Sequence, residues 1–294
     1  MSLDYVFKSK EKDLGGFKVQ RLLPMAQKRQ VGPFVFLDHM GPFLLEGAKQ
    51  LDVRPHPHIG LATVTFLFEG EAFHADSLGS QQRLQPGAIN LMVAGSGIVH
   101  SERTPKEFIN SQAQMHGVQI WLALPKELED CAPQFYHHPA HTLPTAQVTE
   151  KTSAQILMGQ AFDQVSPVKT FSKTLFLNFT AEQSDSFKVD FGCDEICVYP
   201  IAGEVKLDGQ LVPLGQIAIF NHGEEVQFEM SQGAHFIVLG GTPHPEKRFM
   251  WWNFVSSEKE KIQKAAEKWK AQEFDRVPNE TDWIPLPDDS YIML

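Results

Sequence analysis

Arg54-Pro55-His56-Pro57-His58-Ile59-Gly60-Leu61-Ala62-Thr63-Val64-Thr65-Phe66-Leu67-Phe68-Glu69-Gly70 is the stretch on which the fold turns. Its second part is a run of apolar and β-branched residues closed by a glycine turn, as in a buried strand. Its first part sets two imidazoles two residues apart, and residues i and i+2 of a strand share a face. Further along, His100-Ser101-Glu102 repeats that spacing after a turn, a strand and a tight glycine turn, Leu84 to Val99. Two such pairs on neighbouring strands would converge three imidazoles and one carboxylate on one point. This donor set suits iron, nickel, copper, manganese or zinc and is a poor match for the all-oxygen shell of calcium or magnesium. It does not select among the transition metals.

The words around these pairs resemble those of the pirin family of cupins. They are Val31-Gly32-Pro33-Phe34-Val35-Phe36-Leu37-Asp38-His39-Met40-Gly41-Pro42, Arg54-Pro55-His56-Pro57-His58 and Ala94-Gly95-Ser96-Gly97-Ile98-Val99-His100-Ser101-Glu102. His116-Gly117-Val118-Gln119-Ile120-Trp121-Leu122-Ala123-Leu124-Pro125 is similar to the family's next strand, and weaker likeness continues through Gly240-Gly241-Thr242-Pro243 and Trp251-Trp252-Asn253-Phe254-Val255-Ser256. The resemblance implies an all-β bicupin, two cupin β-barrels, with one metal, most often taken as Fe(II), in the amino-terminal barrel. Carried over by motif, the ligands are His56, His58, His100 and Glu102. Many cupins have a further glutamate shortly after the His-x-His; this chain has Ala62-Thr63, which leaves Glu102 as the only obvious carboxylate ligand.

At 294 residues the chain is about twice a typical domain. Its 42% hydrophobic content and 22 Phe supply two cores, and 19 Pro with 21 Gly between short apolar runs favour strands and turns. The halves echo each other: Phe66 to Glu71 matches Val198 to Glu204, and Leu84 to Ile89 matches Val212 to Phe220. The expected division is 1–135 for the metal-binding barrel and 136–294 for a second barrel ending in a helix and an extended tail. In the second barrel, Phe191 to Cys197 stands where a His-x-His would be needed, and His222 alone survives as a candidate ligand. Residues 126–150, with Glu129, Pro133, Pro139 and Pro144, read as a connecting loop that exposes His137, His138 and His141. A helix is expected over about 257–272: Ser257-Glu258-Lys259-Glu260 fits a capping box, and Ile262, Ala265, Ala266 and Trp269 share one face.

A net charge of −10, with a pI near 5.6, and no basic stripe argue against direct nucleic-acid binding. No apolar stretch is long enough to span a bilayer, and the charged first ten residues are not a signal peptide. Three cysteines form no disulfide framework, so a cytoplasmic location is expected.

Four protein ligands on a six-coordinate ion leave positions for substrate or dioxygen, and an open shell marks a catalytic site. What the resemblance implies is a dioxygenase of the quercetin 2,3-dioxygenase type, acting on a flavonol or related enol. Glu102 would serve as ligand and base, and Gln119 as a polar contact to substrate. The alternative it implies is a non-enzymatic, iron-bound regulatory partner of a transcription factor or metabolic enzyme. A non-redox metal such as zinc or nickel, with a different small-molecule reaction, is a third reading.

Overall fold

The computed structural model describes residues 5–14, 17–46, 50–221 and 225–287. Strands dominate them, and they hold one α-helix, Lys259–Lys270, near the end. His222 lies outside the described residues.

By contacts the chain divides into two compact units, one of residues 12–19, 38–140 and 245–294, the other of 1–11, 20–37 and 141–244. The linear division at 135/136 expected from the sequence therefore differs in where the chain ends go. Strand Tyr5–Lys8 pairs with Gln216–Asn221 of the second half, whereas residues 245–287, helix included, return to the unit that holds the paired histidines.

Each half uses the same plan. A four-stranded sheet runs Asp52–His58, Ile98–Arg103, Ala72–Asp76, Gln81–Leu84 in the first half and Asp185–Val189, Val226–Met230, Val205–Leu207, Gln210–Val212 in the second. Each is accompanied by a seven-stranded sheet, with Leu61–Glu69 third in one and Glu195–Ala202 third in the other. These are the strands that carry the internal echo. The sheets stay separate rather than closing into barrels, which makes each half a cupin-like jelly roll. Ala75 and Val99 point away from the interior of the first half and pack with Ile262, Ala265, Ala266 and Trp269 of the helix, all buried. Alternation along a strand then turns His74, Asp76 and His100 inward.

Two local expectations are corrected. The capping box does not form: the helix has no side-chain cap, because Ser257 Oγ donates to Glu129, as does Ser256 Oγ. Glu129 lies in a turn, as a connecting loop requires, but is 1% exposed, held also by the Ser257 amide and near Arg248 and Lys261, so that turn anchors the returning segment. Within 126–150, Gln134–His138 is a strand paired with Ile89–Val93, so His137 and His138 are half-buried and only His141 is exposed.

Candidate metal centre

His56 and His58 end the strand Asp52–His58, and His100 sits on its antiparallel neighbour Ile98–Arg103, directly opposite His56. The three side chains are buried, and a ligand nitrogen from each lies within 4.8 Å of the other two. Ring centroids are 4.4 Å apart for His56 and His100 and 5.0 Å for His56 and His58.

The backbone sets which nitrogens face one another. His56 Nδ1 meets the Arg54 carbonyl oxygen at 2.8 Å, and His58 Nδ1 meets that of Asn253 at 3.2 Å. A carbonyl only accepts, so in each ring Nδ1 carries the hydrogen and Nε2 keeps its lone pair. Burial pushes all three imidazoles below the ordinary value of 6.5, His58 and His100 well below it. They are held in the neutral, ligating form. His100 Nε2 is buried with no hydrogen-bond partner among the described residues, a costly state for a polar atom unless it has a ligand. The donor set thus fits a transition metal bound through imidazole nitrogens.

Glu102 shares this inward face but lies beside the histidine group rather than within it. A register shift between His100 and Glu102 displaces it relative to Asp52–His58, and its carboxylate reaches the facing seven-stranded sheet. There Gln119 Nε2 donates to both oxygens, at 2.9 and 2.8 Å, and Thr65 Oγ1 donates to one at 3.1 Å. Gln119 and Thr65 are direct cross-strand partners, so one position on the sheet presents both donors. Gln119, expected from the sequence to contact substrate, has its amide nitrogen committed to Glu102 in this structure.

Three contributors were not visible as such in the sequence. Asn253 supplies its carbonyl from the returning segment, and nothing local marks it. His74 and Asp76 repeat the i, i+2 spacing of the two ligand pairs on the other side of Ile98–Arg103, and that spacing was the available signal. His74 Nδ1 approaches His100 Nδ1 at 3.4 Å, and its Nε2 lies 3.0 Å from Asp76. Burial works to raise the Asp76 carboxyl, but hydrogen bonds from His74 and Ser80 outweigh it and hold it below its usual range.

The topologically matching place in the second half is different chemistry. Its strand is Asp185–Val189, upstream of the Phe191 to Cys197 segment expected from the sequence, and Phe187 stands opposite Phe228 there. Among the described residues, the group able to hold a metal is that of His56, His58 and His100.

Two jelly rolls, one with three neutral imidazoles turned to a single point, define a bicupin with a candidate transition-metal centre in one half. Family profiles agree: Pirin matches residues 16–122, and Pirin C-terminal cupin domain matches residues 176–275. A pirin-like protein of Caulobacter vibrioides is 40% identical over 290 residues, 97% of this chain and 100% of its own length. A crystal structure of quercetin 2,3-dioxygenase from Acinetobacter baumannii is similar with a TM-score of 0.90 at 31% identity, covering 96% of this chain and 94% of that one. An Escherichia coli pirin solved with nickel(II) shares the fold at 16% identity, with a TM-score of 0.63 over 81% of this chain and 99% of its own. The chain belongs to the pirin family.

Proposed function

We propose that the protein is a dioxygenase that opens a flavonol or related enolic substrate with O2 at one Fe(II), held by His56, His58 and His100 with Glu102 as the fourth protein ligand. The observation that carries this reading is a buried carboxylate placed beside three neutral imidazoles that converge. When bound, the metal supplies electron transfer between the enolic substrate and dioxygen. The chain's own residues do the rest. The Arg54 and Asn253 carbonyls keep two ligand lone pairs aimed inward, and Gln119 and Thr65 orient the Glu102 carboxylate to take the substrate's hydroxyl proton. In this reading Gln119 acts on substrate chiefly through Glu102. The three cysteines, all in the thiol form, fit a reducing cytoplasmic setting.

The reading is supported by the likeness to the Acinetobacter baumannii quercetin 2,3-dioxygenase. Its test is oxygen uptake per bound iron in wild type and Glu102→Gln, since glutamine can still offer an oxygen to the metal but cannot take up a proton. Loss of general-base help should lower turnover per iron by about 10²- to 10⁴-fold. Equal turnover per iron would remove Glu102 as base. No uptake by iron-loaded wild type with any enolic substrate would remove the dioxygenase and leave the regulatory partner.

A further inference from the structure

We infer that His74 and Asp76 form a positioning relay that fixes the tautomer of His100 and so makes its Nε2 a metal ligand. The inference rests on the metal reading above and assigns a role to two buried groups that reading does not use.

Of the three imidazoles, two have their Nδ1 hydrogen fixed by a carbonyl. His100 has none: its Nδ1 faces another ring nitrogen, His74 Nδ1, at the long distance of 3.4 Å. Two imidazole nitrogens can share one hydrogen in either sense, so the outcome depends on what lies behind His74. Behind it is Asp76, fully buried. Asp76 Oδ1 accepts the backbone N–H groups of Leu78 at 3.0 Å and Ser80 at 2.9 Å, and Oδ2 faces His74 Nε2 at 3.0 Å. An ionised carboxylate offers no hydrogen, so His74 Nε2 must donate. With that hydrogen on Nε2, Nδ1 is the His74 nitrogen placed to accept from His100 Nδ1, which leaves His100 Nε2 with its lone pair. That is the buried nitrogen with no hydrogen-bond partner among the described residues. The carboxylate thus dictates, two hydrogen bonds away, which nitrogen of His100 can bind a metal.

The placement follows from the sheet. His74 and Asp76 alternate inward on Ala72–Asp76, with Asp76 opposite His100 and His74 opposite Glu102. Phe135 stacks on the His74 ring at 4.3 Å and 13°, which fixes its plane.

Three substitutions separate this relay from a packing role. Asp76→Asn keeps the shape and the oxygen for Leu78 and Ser80 but presents an N–H to His74, which reverses the relay and leaves a hydrogen on His100 Nε2. His74→Phe keeps the stack on Phe135 and removes the acceptor. His74→Asn loses the ring but sets an oxygen close to where Nδ1 stood. The full chain would be titrated with Co(II) against a competing chelator, reading both affinity and the visible Co(II) spectrum, with thermal melting in parallel. Asp76→Asn and His74→Phe should weaken Co(II) binding by about 10- to 100-fold, the usual cost of an outer partner. His74→Asn should recover most of that loss. Wild-type affinity in both Asp76→Asn and His74→Phe would overturn the relay while leaving the centre intact. So would a loss in His74→Asn beside wild-type affinity in His74→Phe, which would mean only the ring's packing matters. A wild-type chain that takes up no Co(II) would overturn the centre and the relay together.

Discussion

The two halves place different chemistry at one position of the same sheet order. Where His56 stands opposite His100 in the first half, Phe187 stands opposite Phe228 in the second. Phe187 and Phe228 stack at 5.1 Å, Phe228 and Phe236 at 5.6 Å, and Phe179 and Phe236 at 4.7 Å, in a core where Phe179, Phe228 and Phe236 are fully buried. Aromatic rings need only one another, whereas buried imidazoles need partners for both nitrogens. The first half therefore recruits carbonyls from Arg54 and Asn253 and the side chains of His74 and Asp76, one of them from the far end of the chain. A shared scaffold converges imidazoles in one half and packs phenyl rings in the other.

That contrast should appear as a double dissociation. His100→Ala removes a ligand, so metal affinity should fall by more than the ~10–100-fold cost of losing an outer partner. The chain should still melt cooperatively, because apolar strands rather than the ion hold the sheets, unlike a zinc finger. Elemental analysis and calorimetry read the two quantities; an unfolded or aggregated variant would make the metal structural. Phe228→Ala should do the reverse, costing about 3–5 kcal/mol of stability through the cavity it leaves, with metal content unchanged. Metal loss in that variant would break the division of labour.

A third test falls on the segment that returns from the second half. Trp269 is 4% exposed, and its Nε1 donates to the Ile284 carbonyl, while the Ile284 amide donates to the Pro55 carbonyl beside His56. Trp269→Ala should cost about 3–5 kcal/mol of stability and, by loosening Asn253 behind His58, should also weaken metal binding. An unchanged affinity, measured by chelator competition, would show that the helix braces the sheet without reaching the centre.

The smallest expected effect is an acid sensitivity of the metal-free protein. His58 and His100 lie well below 6.5 in the fold because burial disfavours their charged forms, and they return to about 6.5 on unfolding. The unfolded chain then binds more protons below that pH, so their stabilising contribution is complete above about pH 6.5 and declines as the pH falls. The melting temperature of chelator-treated protein should drop from pH 7 to pH 5, and drop less in His100→Ala. Identical slopes would mean the imidazoles contribute nothing to it. The phenylalanines at the matching position do not titrate.

Much of the first half was legible in the sequence because period-two alternation states which side chains share a face. His56, His58 and His100 declare themselves that way, as does the strand Leu61–Glu69. Alternation does not say which strands adjoin, so the His74 and Asp76 pair could not be tied to His100 beforehand. Nor does it reveal long returns of the chain: nothing near Asn253 predicts that its carbonyl will meet His58. Gln134–His138 was hidden by the prolines around it, and Ser257 lost its capping role to Glu129, more than a hundred residues away in sequence. In the second half glycine turns mark the duplicated strands, but Phe191 to Cys197, where the sequence pattern points for the lost ligand pair, lies past the equivalent strand, which only sheet order identifies as Asp185–Val189.

The most direct test of the division between the halves is metal stoichiometry in freshly purified wild type and His56→Ala. Wild type should hold close to one equivalent of transition metal per chain and His56→Ala almost none. Close to two equivalents in wild type, with one surviving His56→Ala, would contradict it.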